Sequence, residues 1–233
     1  MSTLSRTKLD LFIQCPRCFY LDQKLKIKRP SFPAFTLNSA VDALLKKEFD
    51  KYRAAPDKKH TPHPLLKKYK LDAIPIPHKD LSDWRSNFKG IRYHHPKTGL
   101  TIFGAIDDLW QNKKGEFIIV DYKATSKKGE ILKLDDTRWH NAYKRQMEIY
   151  QWLFRMNGFK VSDTGYILYC NGRRSEPAFG GRLEFDLTLI PYKGSTGWVE
   201  GAVVGAWECL KKRKAPKAAE DCEYCGYVKR ASQ

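Results

Sequence analysis

The sequence predicts an α/β protein in which helices flank a central β-sheet. Two periodicities alternate along its 233 residues: apolar positions three and four apart, as in helices, and apolar positions two apart, as in strands. With 42% hydrophobic and 13% aromatic residues, the chain can bury a substantial core. We expect helices over 5–14, 38–52, 139–157 and 196–212, and strands over 100–110, 116–124, 164–170 and 182–190.

The first half of the chain is expected to supply two helices and an irregular stretch. Leu9, Phe12 and Ile13 repeat with helical spacing. Asn38 is placed to cap the second helix. Residues 54–98 are rich in Pro, Lys and His and lose periodicity, so we expect an insertion or irregular region within one domain spanning 1–233. The inward stripe of the second helix is expected to consist of Val41, Leu44, Leu45 and Phe49.

The second half is expected to begin with a hairpin. Residues 111–115 favour a turn, so strands 100–110 and 116–124 should pair with each other. The helix over 139–157 has the strongest periodicity, and Gly158 is suited to close it. Cys170 and Cys209 lie in apolar contexts and are expected to be buried thiols.

The charge of the chain favours a polyanionic partner. Lys and Arg number 43 against 26 acids, a net charge of +17. Nucleic acid is the first expectation, because basic side chains release counterions from phosphates. The alternatives are a merely basic surface or an anionic membrane.

The sequence lacks an apolar run long enough to cross a bilayer and an apolar signal core near Met1. We therefore expect no membrane partner and a cytoplasmic location. Thiols in that compartment are more often ligands or buried groups than disulfides.

Three charged residues in the predicted hairpin indicate a metal-dependent phosphodiester-cleaving site. Side chains two apart in a strand share a face, so Asp121 and Lys123 should project together. If Asp107 lies across the hairpin on that face, two carboxylates converge. Oxygen ligands of this kind suit Mg²⁺ or Mn²⁺, and a lysine ammonium can hold an attacking water or a pentavalent phosphate.

These residues lie in three ordered motifs: Gly-x-Ile-Asp over 104–107, Val-Asp-Tyr-Lys over 120–123 and Gln-x-x-x-Tyr over 146–150. Together they resemble the PD-(D/E)XK nuclease superfamily, in particular its RecB-like branch. The resemblance implies a restriction-endonuclease-like mixed central sheet flanked by helices.

The same resemblance implies a role for each motif residue. Asp107 and Asp121 would be metal ligands, with the Tyr122 carbonyl as a third, and Lys123 the catalytic lysine. Gln146 would orient the site. On the same helix, Tyr150 would contact DNA.

Three further positions have two interpretations each. Asp42 stands where many RecB-like nucleases carry a metal-binding histidine, and it could bind the ion or be a solvated helix residue. Lys144 and Arg145 are candidates for the DNA backbone or for a solvated face.

Two Cys-x-x-Cys pairs, 15–18 and 222–225, can complete a tetrahedral set of thiolates and fasten the two ends of the chain together. The flanking residues resemble those of iron–sulfur AddB-like and CRISPR-associated spacer-processing nucleases. Cys15, Cys222 and Cys225 match three of the four cluster ligands in those families. The fourth is absent, and Cys18 could replace it. The surroundings favour a [4Fe–4S] cluster, whereas spacing alone favours Zn²⁺.

The function that these features predict is a metal-dependent deoxyribonuclease, in which water activated by Mg²⁺ or Mn²⁺ attacks the phosphodiester in line. By resemblance it would act like an exonuclease on single-stranded ends in DNA repair or processing, with a helicase or repair complex as a partner. The alternative is a non-catalytic nucleic-acid-binding or scaffold module that retains the nuclease fold.

Overall fold

The computed structural model describes residues 2–31, 36–54, 59 and 61–232. It confirms the α/β prediction, with helices packed on mixed sheets. The helices are α1 Arg6–Gln14, α2 Pro16–Gln23, α3 Thr36–Asp50, α4 Pro64–Lys68, α5 Leu81–Trp84, α6 Arg138–Met156, α7 Val199–Lys211 and α8 Glu223–Ala231. The strands are β1 Thr3–Ser5, β2 Ala73–Pro75, β3 Ile91–His94, β4 Thr101–Gly104, β5 Asp108–Asn112, β6 Phe117–Thr125, β7 Thr164–Gly172 and β8 Phe185–Lys193.

The larger sheet has five strands in the order β2-β5-β6-β7-β8. It is mixed, because β6 and β7 run parallel while the other neighbours are antiparallel. Parallel neighbours need a crossover connection, and α6 provides it. This arrangement places β6 at the centre of the sheet, and the chain continues from the carboxyl end of β6 to α6.

The predicted strand over 100–110 is wrong, because two strands of different sheets occupy that stretch. β4 pairs with β1 and β3 in a three-stranded sheet, whereas β5 starts at Asp108 and pairs with β6. The chain changes sheets where β4 packs against α6: a Cβ on Gly104 would lie 2.6 Å from a ring carbon of Tyr150. Asp107 therefore lies in the link between the sheets and not within a hairpin strand.

Helices cover both faces of the larger sheet, and β6 contributes side chains to both. On one face, Ile119 packs in the apolar cluster that contains Met147 and Leu153 of α6. On the other, Val120 and Tyr122 join the cluster under α3. Asp121 and Lys123 follow the alternation of Ile119, which directs them toward α6.

Several element ends differ from the predictions. The helix α3 begins at Thr36, and the Asn38 side chain donates to the carbonyl of Ala124 (3.3 Å) instead of capping. Leu44, predicted inward, is 63% exposed. Gly158 closes α6 as predicted, with a φ of 82°.

The stretch 54–98 contains α4, β2, α5 and β3 in its described part, and residues 55–58 and 60 lie outside the described residues. None of the helices in the part of the chain that the structure describes is long and apolar enough to cross a membrane.

The close approach at Gly104 generates a stability prediction. Gly104→Ala should lower the free energy of unfolding by about 1–3 kcal/mol, because Tyr150 is buried and cannot move aside. The control is Gly201→Ala on α7, where no atom lies within 4 Å of the added Cβ, and it should be stabilising by about 0.5–1 kcal/mol. Urea unfolding measures both, and equal effects would contradict the packing described for Gly104.

Candidate active site and metal centre

Asp121 and Lys123 meet on the α6 face of β6, as their spacing predicts. The Lys123 ammonium forms an ion pair with Asp121 Oδ2. Asp121 is 1% exposed, and its Oδ1 accepts a hydrogen bond from Gln146 Nε2 on α6 (2.6 Å). Its Oδ2 is buried, is paired with the Lys123 ammonium, and accepts no hydrogen bond from any other group in the described structure.

Asp107 reaches this pair from the link before β5. Its Oδ2 accepts a hydrogen bond from the Tyr122 amide (2.8 Å), so the carboxylate lies at the edge of β6 beside Asp121. The carbonyl and amide of a strand residue project to the same edge, which directs the Tyr122 carbonyl toward Asp107 as well. Arg85 fixes the link by donating to the Asp107 carbonyl (3.0 Å).

Asp108, the next residue, has a purely structural role. Its carboxylate is fully buried and accepts hydrogen bonds from Arg85 (2.8 Å), Trp110 Nε1 (2.9 Å) and the Tyr122 hydroxyl (2.8 Å). These contacts anchor the start of β5 and thereby the position of Asp107.

Asp42 lies next to Asp107, joined to it through a lysine. The Lys46 ammonium, one turn further along α3, lies 2.8 Å from Asp42 Oδ2 and 3.6 Å from Asp107 Oδ1. The side chains of Asp42 and Asp107 are 34% and 23% exposed, so this side of the site is open to solvent. Burial, and next the charge of Asp107, raises the pKa of Asp42.

The carboxylates of the site repel one another, and the positive charges of Lys46 and Lys123 offset this repulsion. Burial raises the pKa of Asp121 to about 6, against the opposing charge of Lys123. Burial alone would lower the pKa of Lys123, but the charges of Asp121 and Asp107 outweigh it and raise that pKa. Lys123 is therefore an ammonium group at neutral pH.

The donor set fits a divalent cation. Asp42, Asp107, Asp121 and the Tyr122 carbonyl offer the hard oxygen ligands that Mg²⁺ and Mn²⁺ prefer, and among the described residues Asp121 Oδ2 is paired with the Lys123 ammonium alone. Among the described residues, the three acids are not drawn within 4.8 Å of one another. The ammonium groups of Lys46 and Lys123 instead bind these acids.

Two side chains of α6, Gln146 and Tyr150, support the site through hydrogen bonds. Gln146 bonds both Asp121 and the Tyr150 hydroxyl (3.2 Å). Tyr150 is 3% exposed, so the structure places this predicted DNA contact in the interior. Lys144 is bound by Asp136 (2.8 Å) and Arg145 by Asp10 of α1 (2.5 Å), so both predicted phosphate contacts form ion pairs within the protein.

Sequence reasoning missed three residues of the site. Arg6 of α1 lies over the Tyr150 ring (5.8 Å), and its Nε is buried without a partner in the described structure. The ring centroid of Tyr143 lies 4.8 Å from the Lys123 ammonium. Lys46 stands four residues after Asp42, a spacing that predicts an ion pair on one helix face.

The four predicted cysteines form a second centre that joins α2 to α8. Sγ–Sγ distances are 3.9 Å for Cys15–Cys225, 3.6 Å for Cys18–Cys222 and 3.5 Å for Cys18–Cys225, and all four sulfurs lie within 4.8 Å of one another. This confirms that a four-cysteine site connects the two ends of the chain. Cys170 and Cys209 lie elsewhere and are buried.

The surroundings of this centre favour a thiolate at Cys15, whereas burial raises the pKa of Cys18 and of Cys225. Burial would raise the pKa of Cys15, but hydrogen bonds from the backbone amides of Ala219 and Cys18 outweigh it and lower the pKa to about 7. Arg29 donates to Cys222 Sγ (3.5 Å) and packs over the Tyr224 ring (4.5 Å). Positive charge and amide donors stabilise the deprotonated sulfurs that a metal needs.

Comparison with known protein families gives a match over nearly the whole chain. The model of the PD-(D/E)XK nuclease superfamily matches residues 3–230. The chain belongs to this superfamily. Members of the PD-(D/E)XK superfamily are generally metal-dependent nucleases that act on DNA.

The PD-(D/E)XK chain is also similar to a solved structure, "Crystal structure of SSO0001". The TM-score is 0.48 and the sequence identity 16%, over 97% of this chain and 84% of that one. No curated protein sequence matches significantly.

The raised pKa of Asp121 predicts a pH dependence of metal binding. Below pH 6 a proton competes with the ion, so the apparent affinity for Mn²⁺ should be about tenfold weaker at pH 5 than at pH 7.5. Isothermal titration of the metal-free site measures this, and Asp121→Asn should lose most of the difference. The stability of the metal-free fold depends on pH in the opposite direction. Because the pKa of Asp121 in the folded protein exceeds its ordinary value, protonation of this residue stabilises the metal-free fold as the pH falls through 6.

The four-cysteine centre predicts a metal-dependent stability. Cys18→Ser should lose the bound metal and melt roughly 10 °C lower, because folding free energy is coupled to coordination. Cys209→Ala, a buried thiol outside the centre, should retain the metal. Elemental analysis and thermal unfolding provide the measurements. A Cys18→Ser protein with a full metal content would show that this thiol is not a ligand.

Proposed function

We propose that this chain is a divalent-metal-dependent deoxyribonuclease of the RecB-like branch of its superfamily. The observation that carries the proposal is the buried Asp121 carboxylate, which is paired with Lys123 through Oδ2 and lies beside Asp107. Keeping such a pair in a folded protein costs desolvation free energy, and a binding module gains nothing from it.

Each side chain of the site has a defined task in phosphodiester hydrolysis. A divalent ion held by Asp107, Asp121 and the Tyr122 carbonyl would polarise the phosphate and make a water more acidic. Gln146 fixes the Asp121 carboxylate through Oδ1, and Lys123, which is paired with Oδ2, would give that oxygen up to the ion. Lys123, once released from Asp121, can hold the attacking water or the charge that develops on the phosphate.

Asp42 extends this ligand set on the open side. It takes the place of the histidine found in many RecB-like nucleases, and Lys46 holds it beside Asp107. A carboxylate at this position strengthens the preference for Mg²⁺ or Mn²⁺ over softer ions.

We further propose zinc for the four-cysteine centre. Four sulfurs at about 2.3 Å from one tetrahedral ion lie about 3.8 Å apart, which matches three of the Sγ–Sγ distances, at 3.5–3.9 Å, and all four sulfurs lie within 4.8 Å of one another. A four-iron cluster holds its thiolates much further apart, because the cluster core lies between them. The geometry therefore supports the single ion over the [4Fe–4S] alternative, and joint iron and zinc analysis with a visible absorption spectrum tests it.

The cleavage prediction concerns labelled single- and double-stranded DNA incubated with Mg²⁺ or Mn²⁺. Lys123→Met and Asp121→Asn should lower the rate at least about hundredfold, since each removes a group that acts on the transition state. Asp107→Asn keeps an acceptor for the Tyr122 amide and removes only charge, so it should fold normally and lose activity. Asp72→Asn, an exposed acid paired with Lys113, is the matched control.

Substrate form separates the finer alternatives. An exonuclease acting on single-stranded ends, as in DNA repair or processing with a helicase or repair complex, degrades linear strands and spares closed circles. Equal product from the wild type and Asp121→Asn would indicate a contaminant, and DNA binding without cleavage would favour the non-catalytic module.

A further inference from the structure

A concave basic surface lies beyond the carboxyl ends of β6 and β7. This basic groove encloses about 830 Å³. Its cations come from α4, from the segment after β6 and from the segment after β7; they are Lys68, Lys127, Lys128, Arg173 and Arg174. Residues 186–188 of β8 line it as well, so the groove is built by four separate parts of the chain and lies outside the active site itself.

The segment after β6 is held in a defined position on the end of β7. Asn171 accepts from the Lys127 amide (2.7 Å) and donates to the carbonyls of Lys127 and Gly129 (3.1 Å each). Ser126 donates to the Gly172 carbonyl (2.9 Å). These bonds fix the backbone that carries Lys127 and Lys128 along one wall.

Most of these cations lack a carboxylate partner. Arg173 is engaged by Asp186 (2.7 Å) and Glu184 (3.1 Å). In the part of the chain that the structure describes, the other four form no ion pair, and the Lys68 ammonium instead lies 5.7 Å from the Tyr69 ring. Unpaired cations in a concave surface concentrate positive potential, which attracts a polyanion.

The groove begins close to the active site. Lys127, the first residue of this segment to line the groove, stands four positions after Lys123, and strand residues rise about 3.3 Å each. The distance along the chain is thus roughly 13 Å, a span that a short stretch of nucleic acid covers.

Apolar groups on the groove favour an unpaired strand. Tyr69 is 38% exposed and Leu132 is 68% exposed, and both line the same surface as the cations. A duplex presents its phosphates and keeps its bases stacked inside, whereas a single strand can place a base on an aromatic ring. Cations that can bind phosphates, beside an exposed tyrosine, therefore fit a single strand better than a duplex.

We propose that the basic groove binds the single-stranded part of the nucleic-acid substrate and leads it to the active site. Lys127, Lys128, Arg174 and Lys68 would bind phosphates, and Tyr69 would stack on a base. This proposal rests on the proposed nuclease function. It also assigns a role to α4, which belongs to the stretch expected to be irregular.

The test measures binding of a labelled single-stranded oligonucleotide without added divalent ions and without chelator, so that the cysteine centre keeps its metal. The Lys127→Gln, Lys128→Gln double variant should bind about tenfold more weakly. The slope of its affinity against salt should fall by about 1.4, or about 0.7 for each phosphate that the variant no longer neutralises. Its matched control is Lys113→Gln, Lys114→Gln in the exposed turn at the opposite end of β6, which removes the same charge.

A third variant separates the two kinds of strand. Tyr69→Ala should weaken single-strand binding about fivefold or more and leave duplex binding unchanged, because stacking needs an unpaired base. Equal loss on both substrates would overturn the single-strand assignment. Equal affinities of the two double variants would overturn the proposal that the basic groove binds the single strand.

Cleavage measured separately distinguishes this failure from that of the nuclease proposal. If the wild type cleaves DNA while both double variants bind alike, the groove assignment is wrong and the nuclease function stands. If the groove variant alone loses binding and the wild type never cleaves, the groove assignment stands and the nuclease function is wrong.

Discussion

The buried contact between Asp121 and Lys123 is the interaction on which the rest of the structure depends. Two opposite charges in the interior of a protein lose hydration, and their attraction repays it only with good geometry and further polar contacts. Here Gln146 supplies a hydrogen bond and Tyr143 an aromatic face. The central position of β6 and the crossover through α6 bring these four side chains together.

The lysines of the site act as internal counterions. Lys46 compensates the open pair of acids, and Lys123 compensates the buried one. Arrival of a divalent cation would allow both ammonium groups to turn toward a phosphate. The same lysine charges thus hold the acids together in the described structure, and in the proposed nuclease they would become available to substrate.

Local spacing predicted what depends on local geometry. The two-residue interval placed Asp121 and Lys123 on one face, and the paired Cys-x-x-Cys segments met as expected. The break after Gly104 was hidden, because the apolar alternation continues across it while the contact with Tyr150 that causes it lies far away in sequence. For the same reason the pairing of Arg145 with Asp10 could not be read from α6 alone.

The cysteine centre has a consequence for the order of events during synthesis. Cys222 follows Cys18 by 204 residues in the sequence. A metal ion at this centre therefore cannot bind all four thiols until nearly all of the described chain has left the ribosome. The neighbouring helix α1 carries Arg6 and Asp10, which brace α6. Until Cys222 and Cys225 have emerged, α1 and the α6 side chains that it contacts therefore lack the support of this centre.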